Sequence, residues 1–102
     1  MTALTPEVVR SALESVDDPE LGFHIVELGL VRDIHVSADY VQVEMTLTTP
    51  ACPYGPELLA KTERAVASVA GAREPVIHLV WDPPWNPERD ATEDVLAELG
   101  RW

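Results

Sequence analysis

The sequence predicts a two-layer α+β fold, in which a small three-stranded mixed sheet packs against helices in the order α-β-β-α-β-α. Apolar and polar residues alternate over residues 40–48, as in a half-buried strand. Apolar residues recur at helical spacing in three other segments, and one of these helices separates the second and third strands, which favours a parallel pair. A chain of 102 residues has the common size of one domain, so we expect residues 1–102 to form one.

The first helix is predicted to begin at Thr5-Pro6-Glu7. This run supplies an N-cap, a proline in the first helical position and an acid in the first turn. The buried stripe of the helix comprises Val9, Ala12, Leu13 and Val16. We expect the helix to end near residues 17–19, and a short helical turn closed by Gly29 to follow at residues 25–29.

The first two strands are predicted over residues 30–36 and 40–48. The three residues between them are enough to join the strands as a hairpin. In the second strand, the core face carries Val41, Val43, Met45 and Leu47. The opposite face carries Tyr40, Gln42, Glu44 and Thr46. One face of the sheet is therefore expected to be covered, and the other to be polar.

The second half of the chain is predicted to contain a helix, a strand and a last helix. The apolar stripe of the middle helix, which Gly71 closes, comprises Leu58, Leu59, Thr62, Val66 and Val69. The third strand covers residues 76–81 and should run parallel to the second through a right-handed crossover. Residues 82–87 form a stiff loop because three of them are prolines. The last helix, which should end at Gly100, carries Val95, Leu96 and Leu99.

The composition argues against several classes of protein. The formal net charge is −11, from 18 acidic and 7 basic residues that are spread along the chain. Such a field repels phosphate backbones, so no nucleic-acid partner is expected. No apolar run approaches the roughly 18 residues of a membrane span, and no signal-like segment opens the chain. We therefore expect a cytoplasmic protein without a membrane partner.

Cys52 is the only cysteine, and it follows the second strand just before the second helix. There the free N–H groups of the first helical turn favour a thiolate, the reactive and metal-binding form of cysteine. The alternative is that Cys52 packs as a small buried hydrophobe, as free cysteines commonly do. One cysteine cannot form a disulfide within the chain, so any cross-link or shared metal would join two chains.

Other reactive side chains are sparse. The sequence has no HExxH, glycine-rich phosphate loop, GxSxG or CxxC, and we do not expect an enzyme. His35 and His78 lie in predicted strands, where a role on the sheet surface is favoured over catalysis. His24 lies in the loop after the first helix and is the better site candidate. Asp18 and Glu20 flank a proline at the helix exit, where solvated turn acids are the alternative.

Four segments of the chain form an ordered set of motifs. They are Asp18-Pro19-Glu20, Ile25-Val26-Glu27-Leu28-Gly29-Leu30-Val31, Met45-Thr46-Leu47-Thr48-Thr49-Pro50-Ala51-Cys52-Pro53 and Trp81-Asp82-Pro83-Pro84-Trp85. In this order and spacing, they resemble successive motifs of the SufT-like and PaaD-like family, which is associated with iron–sulfur cluster assembly and maturation. Each motif alone is weak, but the set is specific and spans nearly the whole chain.

The resemblance implies a small α+β domain that assists cluster assembly or delivery to target proteins. It also implies that Cys52 matches the reactive cysteine of the family, and that Asp18, Glu20 and Thr48 lie near that thiol.

Two residues depart from the family pattern. Ala51 stands where a glycine often precedes the cysteine, and His24 stands where a small polar residue such as asparagine is common. His24 either adds a metal ligand or fills the place of the asparagine. The sequence carries no cysteine-rich extension of the PaaD type after Trp102, so membership of the phenylacetate-degradation subgroup is not expected.

The number of thiols limits the mechanism. An iron–sulfur cluster normally needs about four ligands, mostly thiolates, whereas this chain has one. The first hypothesis is therefore a transient iron or cluster site, with nothing firmly bound. A second copy of the chain in a homodimer, or an assembly or client protein, would share this site. Cys52 would be joined there by Asp18, Glu20 or His24.

The second hypothesis is a non-catalytic adaptor that binds client proteins through the loop from Trp81 to Pro87, with Cys52 inert. Trp81 and Trp85 offer large apolar area on a stiff frame, which suits an interface. The alternative is that both rings close the core over the last helix. A third hypothesis, a thiol-dependent enzyme, needs a base near Cys52 and an oxyanion site, and of these the sequence indicates only a helix start.

Overall fold

The computed structural model of the chain describes residues 4–19, 21–48 and 54–99. The elements follow one another as α1 (Pro6–Leu13), β1 (Val31–Val36), β2 (Tyr40–Met45), α2 (Gly55–Ala70), β3 (Glu74–Leu79), α3 (Pro87–Asp90) and α4 (Glu93–Leu99). The predicted order α-β-β-α-β-α is confirmed, with a short extra helix, α3, before the last one. None of the helices in the described ranges has the length and apolar character that a membrane span requires.

The sheet is mixed, as predicted, and β2 is its central strand. β1 pairs with β2 in antiparallel orientation, and β3 pairs with β2 in parallel orientation. The Ser37 N–H donates to the Tyr40 carbonyl over 2.9 Å, which closes the predicted hairpin between β1 and β2. The predicted helical turn after α1 is also present, since the Leu28 N–H donates to the His24 carbonyl over 3.1 Å.

The core lies between the sheet and the helices α1 and α2, which contact each other and the strands. The Thr5 side chain caps α1 by accepting the Val8 N–H over 3.3 Å. Burial of each large apolar side chain contributes roughly 1.5–3 kcal/mol relative to exposure. Fully buried core side chains include Val9, Leu13, Val41, Val43, Met45, Leu58, Val66 and Val95. The opposite face of the sheet exposes Asp33, His35, Tyr40 and His78.

A bulge in β1 keeps the two faces of the sheet distinct. The register against β2 shifts between Val31 and Asp33, which leaves Arg32 as the extra residue. Strict alternation would place Val31 on the same face as Asp33, yet Val31 is buried in the core. The bulge therefore returns Val31 to the core and leaves Asp33 and His35 on the open face.

The chain after β3 folds back onto the turn at residues 24–30. The Trp85 indole Nε1 donates to the Leu28 carbonyl over 2.7 Å. The Thr92 N–H donates to the Glu27 carbonyl over 2.9 Å. These two bonds attach the C-terminal segment to the turn on either side of α3.

Gly29 and Asp90 meet where α3 crosses this turn. Gly29 has a φ of +79°, and a Cβ added there would overlap the Asp90 backbone, so both conformation and space require glycine. The hydrogen bond from Arg89 lowers the pKa of the Asp90 carboxyl, an effect to which the positive charges of Arg89 and Arg32 add. The Arg32 guanidinium lies 3.9 Å from this carboxylate. Asp90 is thus held ionised beside the turn.

The third strand begins and ends two residues earlier than predicted. It covers Glu74–Leu79 rather than residues 76–81. Proline usually interrupts a strand, but within the described ranges β3 is an edge strand with β2 as its one neighbour, and an edge strand tolerates Pro75. Trp81 consequently lies beyond the strand instead of within it.

The second strand is shorter than predicted, because β2 ends at Met45 rather than at residue 48. Thr46 was predicted on the polar face, but its side chain is fully buried. Its N–H donates to the Leu30 carbonyl over 2.8 Å, so the end of the turn at residues 24–30 lies alongside it and covers that position. Leu47 is buried, as predicted.

The helix ends also differ from the prediction. α1 ends at Leu13, and Val16 is buried in the turn that follows rather than in the helix. α3 was not predicted, although Asn86 caps it and Pro87 opens it. The predicted helix end at Gly100 lies outside the described residues.

Candidate functional site

The candidate site lies at the carboxyl end of β2, where the chain passes from the sheet to α2. Leu47 is buried just beyond β2, and Gly55 opens α2. A Cβ on Gly55 would lie 3.1 Å from the Leu47 side chain, so the two ends of the connection pack closely. Cys52 belongs to this connection and lies outside the described residues.

No side chain in the described ranges caps the start of α2. Tyr54 occupies the N-cap position without a side-chain hydrogen bond to the first turn, and Pro56 has no N–H. The Leu58 N–H donates to the Tyr54 carbonyl over 2.8 Å. The start of α2 also carries the positive end of the helix dipole, which stabilises a negative group close to it. This field favours a thiolate over a thiol.

Three backbone hydrogen bonds connect the exit of α1 to the end of β2. The Ile25 N–H donates to the Val16 carbonyl over 2.9 Å, and the Leu30 N–H donates to the Ile25 carbonyl over 3.0 Å. The bond from the Thr46 N–H to the Leu30 carbonyl completes the series. The exit of α1 is thereby joined to Thr46, the residue that follows β2, through the turn at residues 24–30.

Asp18 is buried in the acidic turn, with 3% of its surface exposed. One carboxylate oxygen accepts the Leu21 N–H over 3.1 Å. The backbone N–H of Asp18 donates to the Phe23 carbonyl over 2.9 Å. The alternative that Asp18 is a solvated turn acid is wrong, because its carboxylate is inside the fold and shapes the turn.

Two of the other predicted supporting residues have different outcomes. Thr48 is half-buried just beyond β2, where the connection to α2 begins. Glu20 lies outside the described residues, as Cys52 does. The predicted convergence of Asp18, Glu20 and Thr48 on the thiol therefore stays a prediction.

His24 forms a reciprocal cap with Glu27. The imidazole Nδ1 accepts the Glu27 N–H over 3.1 Å, and the Glu27 carboxylate accepts the His24 N–H over 3.0 Å. The imidazole Nε2 lies 3.6 Å from the other Glu27 carboxylate oxygen. This arrangement has the geometry of a capping box, in which asparagine would also serve. The arrangement favours a structural role for His24 over metal binding, because both ring nitrogens face Glu27.

The two predicted partner-binding tryptophans have different surroundings. Trp85 is half-buried against the core and donates to Leu28. Trp81 is 39% exposed. The Val80 N–H donates to the Met45 carbonyl over 2.8 Å, so Trp81 follows β3 at the same edge at which β2 ends.

A further group of polar side chains was not predicted as a site. Atoms of Asp33, His35 and Glu44 that could bind a metal lie within 4.8 Å of one another on the open face of the sheet. The predicted hairpin could have indicated this group. If residues 36 and 41 pair beside the connection, the antiparallel register places Asp33 opposite Glu44.

Comparison with known proteins agrees with the fold and with the resemblance that the sequence motifs indicated. Residues 6–77 match the family model described as iron-sulfur cluster assembly protein. The chain is 39% identical over 84 residues to the Fe-S protein maturation auxiliary factor YitW of Bacillus subtilis, covering 81% of this chain and 82% of the relative. It is 39% identical over 87 residues to the Fe-S protein maturation auxiliary factor SufT of Staphylococcus aureus, covering 84% and 92%.

One solved structure covers nearly the same length of chain. A conserved hypothetical protein from Thermotoga maritima superposes with a TM-score of 0.87 at 39% identity, covering 98% of this chain and 99% of that one.

Proposed function

This chain belongs to the iron–sulfur cluster assembly protein family, and from that premise we propose that it assists cluster assembly or delivery to client proteins through a transient site at Cys52. Membership confirms the family resemblance of the sequence motifs. The relatives from Bacillus subtilis and Staphylococcus aureus are named as maturation auxiliary factors, which supports a non-catalytic role. The observation that carries the proposal is the closely packed β2–α2 junction around the connection that contains Cys52.

The packing of this junction supports a reactive thiol. Leu47 and Gly55 pack against each other, and no described side chain caps the start of α2. In the proposal, the thiolate of Cys52 receives the stabilisation that the helix dipole gives to a negative group near the helix start.

One thiol per chain determines how a cluster is held. A cluster needs about four ligands, so in the proposal Cys52 shares its cargo with a second copy of the chain, an assembly protein or a client. Sharing also assists delivery, because a cluster that is held by few bonds to any one chain passes readily to a protein with more thiolates. A homodimer would supply two thiolates.

Asp18 is the carboxylate that the fold supports best as a neighbour of the thiol. It is buried, and the three backbone hydrogen bonds described above join the exit of α1 to the residue that follows β2. Asp18 and Thr48 are therefore proposed as supporting residues, and Glu20 is proposed from the family motif alone. His24 is better explained as the cap partner of Glu27.

Anaerobic loading tests the proposal. The chain is incubated with iron and sulfide, its bound iron and visible absorption are measured, and transfer to an apo acceptor protein is followed. We expect labile, Cys52-dependent iron binding and transfer, both lost in Cys52→Ser. His24→Asn is the matched control, because asparagine can replace the cap, and it should behave as the wild type.

Two results would contradict the proposal. One is full iron binding by Cys52→Ser. The other is a wild-type chain that neither binds iron nor shows Cys52-dependent binding to an assembly or client protein.

The exposure of Trp81 favours a second candidate function, an adaptor that docks clients at this edge. Tyr54 is 38% exposed at the start of α2 and adds a second aromatic surface beside the β2–α2 connection. Because Trp85 packs against the core, the adaptor hypothesis now assigns client binding to Trp81 rather than to the whole Trp81–Pro87 loop.

Pull-down with an assembly or client protein separates the two functions. If the chain is an adaptor, Cys52→Ala should bind the assembly or client protein normally and Trp81→Ala should not. If binding depends on the thiol, Cys52→Ala should lose it. Retained binding by Trp81→Ala would exclude the adaptor.

A further inference from the structure

The open face of the sheet carries a row of metal-binding side chains. Asp33 of β1 is paired with Glu44 of β2, and Glu44 is paired with His78 of β3. Neighbouring strands lie about 4.8 Å apart, so these residues form one line across the sheet. His35 lies two residues along β1 from Asp33, on the same face. These four residues are called the outer-face cluster.

The distances within the outer-face cluster are close to those around a bound ion. His35 Nε2 lies 2.9 Å from an Asp33 carboxylate oxygen, and potential ligand atoms of Asp33, His35 and Glu44 lie within 4.8 Å of one another. His78 Nδ1 lies 3.8 Å from a Glu44 carboxylate oxygen. Ligand atoms at about 2.0–2.2 Å from a tetrahedral zinc ion are about 3.3–3.6 Å apart. Binding of such an ion would therefore draw the more distant ligand atoms closer together than they lie in the unbound chain.

Strand pairing holds the backbones of these residues in place. The bulge at Arg32 fixes Asp33 and His35 on the open face. The second Asp33 carboxylate oxygen accepts the Ile34 N–H over 2.9 Å, which orients the other oxygen towards His35. The donors are therefore set on a sheet rather than on a mobile loop.

The charges of the cluster favour a cation. Asp33 and Glu44 are like charges directly opposite each other, an arrangement that destabilises an antiparallel pair. Within the part of the chain that the structure describes, their ion pairs are with histidines, and no lysine or arginine neutralises them. A divalent cation would remove this repulsion.

We propose that the outer-face cluster binds a divalent first-row transition-metal ion. Asp33, His35 and Glu44 supply the first ligands, and His78 is placed to join them through Glu44. Imidazole donors with carboxylates suit zinc, iron or nickel, whereas magnesium and calcium prefer oxygen ligands alone. His35 and His78 are 57% and 58% exposed, so an ion can enter from solvent. The proposed ligands include no thiol, which separates this proposal from the one at Cys52.

Zinc titration by calorimetry tests the proposal on the whole chain, in the wild type and in Cys52→Ser. We expect Cys52→Ser to retain one zinc ion per chain, with affinity within about threefold of that site in the wild type. His35→Ala should weaken binding at least tenfold in either background. Glu44→Gln, which keeps the side-chain shape, should also weaken binding at least tenfold.

Two controls make the result specific. Glu74→Gln removes an exposed acid of β3 outside the cluster and should leave the zinc affinity within about twofold. Nitrogen chemical shifts of the imidazole rings should change at His35 and His78 on zinc binding, and not at His24. Circular dichroism checks that each variant is folded.

Any of three results would overturn the proposal. They are loss of zinc binding in Cys52→Ser, unchanged affinity in His35→Ala, and displacement of zinc by an equal concentration of magnesium. The first result would assign the zinc to the thiol of Cys52. None of the three measures iron–sulfur cluster binding, so the two proposals can fail separately.

Discussion

The turn at residues 24–30 and the open face of the sheet both pair histidine with carboxylate, but they use the pair differently. In the turn, both ring nitrogens of His24 face Glu27, and the pair closes a local cap. On the sheet, His35 and His78 are more than half exposed beside Asp33 and Glu44. The difference shows that a histidine in a loop can be structural while histidines in strands remain accessible for binding.

The turn should therefore respond to substitution mainly through stability, and the open face mainly through binding. The largest expected effect is at Gly29. Gly29→Ala should lower the free energy of unfolding by about 2–5 kcal/mol, from left-handed backbone strain and from overlap with the Asp90 backbone. Urea unfolding followed by circular dichroism measures it.

Gly22→Ala is the matched control for Gly29→Ala. Gly22 has a similar φ of +77°, but apart from its two chain neighbours no described residue lies within 4 Å of the position that a Cβ would take. This substitution should cost only the backbone strain, about 1–2 kcal/mol. Equal losses at the two glycines would show that the contact between the turn and α3 contributes nothing.

Trp85→Phe tests the indole bond that attaches the C-terminal segment to the turn. Phenylalanine keeps an aromatic ring but leaves the Leu28 carbonyl without its donor, which should cost about 1–2 kcal/mol. Trp81→Phe, on an exposed ring, should change the unfolding free energy by less than about 0.5 kcal/mol. Thermal and urea unfolding of both variants provide the comparison, and equal losses would contradict the different surroundings of the two rings.

His24→Ala should destabilise the fold by about 1 kcal/mol, the usual cost of losing a cap. His24→Asn should recover most of this loss, because its side-chain oxygen can accept the Glu27 N–H. His35→Ala on the open sheet should change stability by less than about 0.5 kcal/mol. If His35→Ala proved the more damaging to stability, the contrast between turn and sheet would be wrong.

The smallest expected effect is the pH dependence from Asp90. The Arg89 hydrogen bond lowers the pKa of Asp90 in the folded chain below the usual value of about 4. Ionised Asp90 therefore stabilises the fold above about pH 4, and this contribution is lost as the pH falls through the lowered folded pKa.

Asp90→Asn should accordingly cost about 0.5 kcal/mol or less at pH 7, as expected of a surface pair. The difference from the wild type should shrink towards pH 3, as measured by urea unfolding at several pH values. A loss that grows on acidification would contradict this sign.

Much of the fold was predictable because its signals are local. Alternation in β2 and the Thr5-Pro6-Glu7 start of α1 each follow from neighbouring residues. Asn86-Pro87-Glu88 repeats the start signal of α1, yet the run of prolines before it concealed α3. The start of β3 was missed because tolerance of Pro75 depends on β3 lying at the sheet edge, which local sequence does not specify.

Less of the candidate site than of the fold could be predicted, because several of its features depend on contacts between distant segments. The family motifs indicated Cys52 and the acidic turn, but burial of Asp18 results from packing across the fold. The cap formed by His24 was not predicted, although the His-x-x-Glu spacing is its sequence signal. Predicting the outer-face cluster required the register between β1 and β2. Including His78 required the register between β2 and β3 as well.

Native mass spectrometry of the anaerobically loaded chain counts the protein chains that hold each cluster, and so tests whether one chain can hold a cluster alone. We expect clusters only on species with two chains or with a partner protein. They should be absent from Cys52→Ser and retained in His24→Asn. A cluster on a single chain, or one that persists in Cys52→Ser, would contradict the proposal of a shared site at Cys52.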